Sequence, residues 1–296
     1  MRWILRCAVV SMTVVLAGCN AGMDGFSVPG LGADQTGQLA QSVAASVGDY
    51  AILDLGSGQI TYAASVPGLT TDAAWCTDRM VFRAVEASVA LVGSDPTAFG
   101  AQGDETRGVA AFPRYWMGVF EVTEGQWKRL AGSEPWTAVR PQSLLGSAAL
   151  GSDRDRTPAV GLSFQTATAG IAAAAQRLGR GLALPDPVQW EYACRAGATG
   201  SFAWGESRDE AVIRRHAVVG EVLDGVGGAR VVGSLTANAF GFYDLHGNAW
   251  EFTSDGALRG GSWRDTLAQA RCANRGPELD RETAHPLVGL RLVLVP

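Results

Sequence analysis

The chain has 296 residues, 47% of them hydrophobic, 18% charged and 8% aromatic, with a formal net charge of −5. A chain of this size buries roughly 70% of its unfolded surface as one large domain or two small ones, so it needs no metal or disulfide merely to fold. Lys128 is the only lysine, and no basic stripe or basic–aromatic alternation occurs, so nucleic acid is not an expected partner.

Arg2 and Arg6 flank the start of the chain, and Cys7 to Leu16 is an apolar run too short to span a bilayer comfortably. It ends in Leu16-Ala17-Gly18-Cys19, which resembles a bacterial lipobox. Residues 1–18 are therefore read as a lipoprotein signal peptide and Cys19 as the lipidation site. A plain secretory signal with an incidental Cys19 is the alternative. Asn20, where an Asp would be the exception, resembles the outer-membrane sorting class of Gram-negative lipoproteins. The expected location is the bacterial cell envelope, outer membrane before inner, with membrane contact through the lipid anchor only. Residues 19–48 are rich in Gly, Ala, Gln and Ser and read as a tether, with one short helix over Thr36–Ser46.

Next, "YAILDLGSGQITYAASV" alternates apolar and polar residues on either side of Gly56-Ser57-Gly58, the pattern of a hairpin, in an N-terminal extension over residues 49–77. The main domain spans 78–296 and opens on another alternating stretch, "MVFRAVEASVALVG". In "EVTEGQWKRLAG", Thr123 is placed to cap a helix with Gln126 as its capping-box partner. "SFQTATAGIAAAAQRLGR" starts a helix at Ser163 and stops it near Gly179. In "LPDPVQWEYACRAG", Asp186 is the N-cap, Pro187 holds the first helical position, Gln189 completes the box and Gly197 stops the helix. Beyond Gly197 regular periodicity gives way to Gly, Asn, Asp and Trp at turn-like spacing. Few helices and a long, loop-rich second half give an α+β domain whose loops need something besides regular hydrogen bonding to hold them.

Six motifs in fixed order carry a resemblance: "YWMGVFEVTEGQW" (Tyr115–Trp127), "LALPDPVQWEYACRAG" (Leu182–Gly197), "NAFGFYDLHGNAWEFTSD" (Asn238–Asp255), "RGGSW" (Arg259–Trp263), "RCANR" (Arg271–Arg275) and "VGLRLV" (Val288–Val293). Together they resemble the formylglycine-generating enzyme, or sulfatase-modifying factor, family. The resemblance implies a C-type-lectin-like fold with two helices, a small sheet and abundant ordered loop. In the active enzymes of that family a copper ion is held by two cysteines just after Gly-Gly-Ser, because Cu(I) selects soft sulfur ligands. Here Ser262 keeps the serine, but Asp265 and Leu267 or Ala270 stand at the corresponding positions. An Asp is no substitute for a thiolate toward Cu(I), and Leu or Ala offers no ligand, so no copper is expected and no catalytic residue is assigned.

The resemblance also implies a Cys194–Cys272 disulfide, worth ~4 kcal/mol on the chain-entropy estimate. A free thiol at Cys272 is the alternative. Cys76, beside Trp75, defaults to a buried inert thiol. "YDLHGNAWEF" resembles a calcium site of the family, with Asp244 and Glu251 giving side-chain oxygens and Gly247 and Ala249 giving carbonyls. The alternative is a loop in which Asn248 and Asp244 only cap backbone groups. A second family calcium site, upstream in "RRHAVVGEVLDG", has no matching Asn. His246 reads as packing, and with His216 and His285 as the only others no histidine-rich zinc or iron cluster can be assembled. The tryptophans at 127, 190, 204, 250 and 263 read as core, with a carbohydrate platform as the alternative for one or two.

Without catalytic thiols, the leading reading is a surface or periplasmic lipoprotein whose domain binds a protein or glycan ligand on its C-terminal loops. The candidates are Ser262, Trp263, Arg264, Asp265, Thr266, Asn274, Glu278, Asp280, Arg281 and His285, a mixed-charge set on a rigid scaffold; a merely solvated face is the bland alternative. A lipobox with a chain ending at Pro296, just after the last strand, also resembles the variable proteins of diversity-generating retroelements. Glu278 and Glu282 count against that, since adenine-directed change at Asn-type codons does not produce Glu. Two other classes stand beside these: a formylglycine-generating or related oxidoreductase with an atypical site, and an accessory lipoprotein of an envelope machine.

Overall fold

The hairpin turn forms because Asp54 Oδ1 accepts hydrogen bonds from the N–H groups of Gly56 (3.1 Å) and Ser57 (2.8 Å), closing the chain on itself. The computed structural model describes residues 50–139, 151–220 and 228–295. The signal peptide, Cys19, the tether and the Thr36–Ser46 helix lie outside the described residues, as does part of the stretch assigned to a second calcium site.

In chain order the described elements are β1 (Tyr50–Asp54), β2 (Ile60–Ala63), β3 (Arg79–Val85), β4 (Ser88–Val92), β5 (Gly108–Phe112), β6 (Tyr115–Gly118), α1 (Glu124–Ala131), α2 (Phe164–Leu178), β7 (Gly181–Ala183), α3 (Pro187–Arg195), α4 (Glu210–His216), β8 (Trp250–Phe252), β9 (Leu258–Arg259), β10 (Val288–Leu290) and β11 (Val293–Val295), with single turns such as Trp136–Val139 between them. Six strands make an antiparallel sheet in the order β2-β1-β3-β6-β11-β7. Because β1 pairs with β3 as well as β2, the N-terminal hairpin is the margin of the main sheet and not an appendage. β8, β9 and β10 form a second small sheet, and β4 with β5 a two-stranded ribbon.

The caps read from the sequence are formed. Thr123 Oγ1 accepts from Gln126 N (3.1 Å) while Gln126 Oε1 accepts from Thr123 N (3.0 Å), and Asp186 and Gln189 repeat the exchange at the start of α3. Ser163 caps α2, which ends at Gly179 in the left-handed conformation. At the end of α3 the left-handed C-cap is Ala196 (φ 47°), one residue before the expected Gly197. Helix α4 is an element the sequence reading left as loop; Asp209, accepting from the N–H groups of Ala211 and Val212, starts it.

Strand alternation then sorts the core into two faces. Phe82, Trp116 and Leu294 point toward α1 and α2 and pack with Trp127, Leu130, Ala167 and Ile171. Tyr115, Met117 and Val293 point the other way, toward Trp190, Ala193 and the cysteines of α3 and the C-terminal loops. A side chain at Gly170 of α2 would come within 2.7 Å of the Trp127 ring, so the α1–α2 contact demands a glycine there.

The long loops are held by buried arginines taken from the motifs. Arg291 donates to both carboxylate oxygens of Glu251 (2.8–3.2 Å) and to the carbonyls of Gly118, Val119 and Tyr243. Arg259 reaches the carbonyls of Cys272, Ala273 and Asn274 and lies 3.5 Å from Glu191, which Arg195 also engages at 2.7 Å. Arg271 pairs with Glu105. A guanidinium has five donors and suits this work, since it satisfies several loop carbonyls at once while a carboxylate neutralises it.

Candidate functional site

The segment after Gly-Gly-Ser is a tight turn. Asp265 Oδ2 accepts from the Ser262 hydroxyl and from Ser262 N (3.0 Å). Thr266 gives its N–H (2.9 Å) and hydroxyl (2.7 Å) to Gln269 Oε1. Leu267 and Ala270 are buried in an apolar cluster with Phe202, Ile213 and Val219. Asp265 and Leu267 or Ala270, which the resemblance sets at the two thiol positions, are thus a turn-forming carboxylate and a core side chain. Trp263 donates its N–H to Asn248 O (3.0 Å) and packs against the main core.

Cys194 and Cys272 are joined as a disulfide, as the resemblance implies. His246 lies against it, with Nε2 at 3.8 and 4.0 Å from the two sulfurs. Its Nδ1 is 2.7 Å from Ala270 O and Nε2 faces Ala203 N at 3.3 Å, so the proton belongs on Nδ1. Burial pushes its pKa down to about 4, against the raising effect of the Ala270 carbonyl, and the ring is neutral. Among the described residues this trio is the one group of His, Cys, Asp and Glu with ligand atoms close enough for a shared ion, but its sulfurs are bonded to each other and offer no thiolate. Cys76 is free and fully buried, and burial pushes its thiol up to about 11.

The "YDLHGNAWEF" loop is strained into shape: Asp244 and Asn248 both have positive φ (61° and 64°). At Gly247 (φ 89°) a Cβ would lie 2.0 Å from Val218 O, so only glycine fits. Asp244 is buried; Oδ2 accepts from Gly233 N (2.7 Å), while Oδ1 is buried without a hydrogen-bond partner. Gly247 and Ala249 spend their N–H groups on Gly260 O (2.7 Å) and Glu121 Oε1 (2.9 Å), which leaves their carbonyls as what they have to give an ion. Glu251 differs: its oxygens receive Arg291 and, at 2.6 Å, the Trp190 indole N–H. Asp244 therefore fits a cation through an uncommitted oxygen, whereas Glu251 contributes charge with its lone pairs already engaged. Glu121, which the sequence reading missed, is a further fully buried carboxylate, taking Asn248 Nδ2 and Ala249 N. Burial first, then the charges of Asp244 and Glu251, hold its pKa well above the usual range. An acid inside the apolar run Val119–Val122 was the available signal.

The remaining candidates divide by burial. Ser262 and Asn274 are buried, and Asn274 is a loop brace that accepts from Gln102 Nε2 (3.0 Å) and donates to Gln269 O (3.1 Å). His285 is half-buried, its Nδ1 accepting from Leu287 N. Arg264, Thr266, Glu278, Asp280 and Arg281 are exposed. Of the ten, Glu278 and Arg281 share one cleft of about 320 Å³ with Asp104, Asp255, Arg275 and Leu279. Arg275 pairs with Asp255 at 3.1 Å, and Arg281 lies 4.4 Å over the Phe164 ring while donating to Asp255 O. Arg264, Asp265 and Thr266 do not line that cleft; their turn packs by Gly220, whose N–H donates to Asp265 O.

This architecture defines a class. It superposes on Treponema denticola variable protein 1 with a TM-score of 0.63, at 18% identity over 74% of this chain and 96% of that one. PvdO from Pseudomonas aeruginosa gives 0.60, at 20% identity over 72% and 94%. These likenesses are of fold: the C-type-lectin-like fold of the sulfatase-modifying factor type. The model of the sulfatase-modifying factor enzyme 1-like domain matches residues 83–295, and the chain belongs to that family. It is 31% identical over 115 residues to the formylglycine-generating enzyme of Mycobacterium tuberculosis, covering 35% of each chain. It is 33% identical over 102 residues to the inactive C-alpha-formylglycine-generating enzyme 2 of Bos taurus, covering 29% of this chain and 34% of that one. The aligned stretches thus span about a third of those relatives' length.

Proposed function

We propose that this is a non-catalytic member of the family that binds a protein or glycan ligand on its C-terminal loops. The observation that carries the reading is the Ser262–Asp265 turn: a carboxylate tied to its own loop, with Leu267 and Ala270 in the core, stands where oxidation chemistry needs a copper-binding thiol pair. Among the described residues the other cysteines do not supply it, since Cys194 and Cys272 are bonded to each other and Cys76 is buried with a raised pKa. What the loops do offer is an open mixed-charge cleft on a braced scaffold. Incubating the full chain with copper, O₂, a thiol reductant and a cysteine-containing sulfatase peptide should yield no aldehyde. Conversion of the cysteine to an aldehyde would sink the reading and restore the oxidoreductase alternative.

A finer form of the reading is a diversified receptor. It is supported by the placement of Arg264, Thr266, Glu278, Asp280 and Arg281 on the outside and of Leu267, Ala270, Cys272 and Ala273 inside, so the former could change without disturbing the fold. Sequencing the gene segment for Arg264–Leu287 in many sibling cells should show changes confined to the exposed set; an invariant segment ends this form and leaves a fixed ligand.

Two further parts belong to the proposal. The protein is exported and lipid-anchored at Cys19, supported by the lipobox; among the described residues no helix is long and apolar enough to cross a membrane. Radiolabelled palmitate should enter the wild type and not Cys19→Ala. Calcium binds at the Asp244 loop, supported by the uncommitted Asp244 Oδ1 and by three buried carboxylates (Glu121, Asp244, Glu251) gathered near Arg291. Calcium should raise the melting temperature of the wild type and not of Asp244→Asn.

A further inference from the structure

A second cleft is lined by none of the ten ligand-candidate residues. It holds about 270 Å³ between strand β4 and the chain that follows helix α3. One wall is Ser88–Leu91 of β4 with Gly93, Ser94 and the exposed Asp95–Arg107 ion pair; the other is Tyr192, Arg195, the loop Gly197–Ser201 and Glu206. We propose that this slot takes an extended segment of another polypeptide, added as a third strand to the β4–β5 ribbon.

The edge of β4 makes the first case. β4 pairs with β5 in register from Ser88↔Phe112 to Val92↔Gly108, and among the described residues none of positions 88–92 makes a backbone hydrogen bond on its other side. Sheet edges are ordinarily guarded by a charge, a proline or a covering element. "SVALV" carries neither charge nor proline, and what faces its edge is the slot. A row of unspent main-chain donors and acceptors calls for another main chain, because only an extended strand repeats N–H and C=O at the same spacing.

The rigidity of the walls makes the second. Ser201 lines the slot, but its hydroxyl is sealed beneath the surface and takes no part in the contact. The two walls are fixed in relation to each other. Arg195 donates to Gly200 O on one side (2.7 Å) and Gly93 O on the other (2.7 Å), and Glu191 accepts from Gly93 N (2.7 Å). The slot is therefore preformed rather than a gap awaiting collapse.

The ribbon sets the specificity. Val89 (67% exposed), Leu91 (41%) and Val109 (61%) stand on its outer face, with Leu91 and Val109 directly opposite each other. Side chains of an added strand alternate between faces. Every second residue of the guest would lie beside Val89 and Leu91, which favours β-branched or aliphatic groups at those positions.

The test uses the full chain and a phage library of random linear decapeptides. Enriched peptides are synthesised and measured by fluorescence anisotropy against the wild type, Thr199→Trp (an exposed loop position that fills the slot), Ser201→Ala, and the cleft variant Glu278→Lys/Arg281→Glu. Melting curves check that each variant is folded. The expected result is enrichment of aliphatic peptides that bind wild type, Ser201→Ala and the Glu278/Arg281 variant alike and lose binding to Thr199→Trp. Backbone N-methylation along the peptide should weaken binding ~tenfold at alternate positions and little between them. Binding that survives Thr199→Trp, N-methyl losses without alternation, or no enrichment over Thr199→Trp would each overturn the proposal. Peptides lost only by the Glu278/Arg281 variant would also overturn it, and would support the C-terminal cleft instead.

Discussion

Arg271 and Glu105 form a two-pronged ion pair, at 2.6 and 2.7 Å, with neither side chain exposed to solvent and 166 positions between them in sequence. Arg271 also donates to the carbonyls of Ala268 and Gly100 and to Ser94 Oγ (3.3 Å), so one guanidinium ties the loop after β4 to the loop after Gly-Gly-Ser. Removing one partner leaves a buried charge unpaired, which is the costly way to break such a pair. Arg271→Met should lose ~3–5 kcal/mol of stability, and Glu105→Leu/Arg271→Met should recover much of it. Denaturant titration of the four members of the cycle checks this; additive single-mutant losses would mean the pair is incidental.

The disulfide staples the same region, closing 78 positions from α3 to the arginine motif. Its reduction should cost ~4 kcal/mol and lower the melting temperature by roughly 10 °C. His246 sits against the sulfurs inside the core, so reduction should be slow until the chain opens. Cys76 gives an independent check. With Cys7 and Cys19 replaced by serine and the disulfide left intact, Cys76, buried and shifted up to about 11, should not react with a thiol reagent in the native protein and should react as one thiol on denaturation. Fast native labelling at Cys76 would contradict the packing described.

How much of this was legible in the sequence depends on the range over which each residue acts. Thr123, Ser163 and Asp186 act within three residues, and their caps read directly. Asp209 carries the same local signal, but without the capping-box glutamine or a long apolar repeat behind it α4 went unread. Asp265 was legible as a missing thiol; that it would bond Ser262 three residues back was not, because Asp is equally at home facing solvent. Ser262 and Asn274 were counted as surface and prove to be buried braces, while Glu121, Glu105 and Glu191 were not counted at all. Glu121 and Glu105 have their partners far along the chain, and Glu191 joins its helical neighbour Arg195 to the distant Arg259, so the local sequence shows at most half of each contact. Ordered loops without strand periodicity leave no repeat from which to infer who meets whom.

The pH dependence of stability should have two opposed parts. His246 falls from 6.5 to about 4 on folding, so the unfolded chain binds more protons between those values, and its contribution is full above about 6.5 and lost as pH drops toward 4. Asp244 rises from 3.8 to about 6, chiefly through burial, so the folded chain binds more protons there, and stability falls as pH climbs from about 4 to about 6. Each shift corresponds to ~3 kcal/mol across its window. Glu121, raised as well, adds to the fall. With chelator present, Asp244→Asn should therefore lose less stability than wild type as pH climbs from about 4 to about 6, and His246→Gln should lose more. Parallel curves for the two variants would show that one of the groups does not titrate as its surroundings dictate.

The C-terminal loops offer the sharpest separation of structure from binding. Asn274 is buried between Gln102 and Gln269, so Asn274→Ala strands their polar groups and should cost ~1–3 kcal/mol. Glu278 is exposed on the cleft wall and Arg281 holds only the Asp255 carbonyl and the Phe164 ring. Glu278→Lys should fall within about 0.5 kcal/mol of wild type, and Arg281→Glu should lose at most ~1 kcal/mol. If the cleft is the ligand site, these two exposed changes abolish capture of the natural ligand in a pull-down from source-cell extract at unchanged melting temperature. Asn274→Ala then reduces capture only in proportion to the folded fraction. The opposite pattern, with Asn274→Ala eliminating capture at full folding and the Glu278 and Arg281 variants neutral, would move the ligand off the 320 Å³ cleft and toward the turn that Gln269 shares with Thr266.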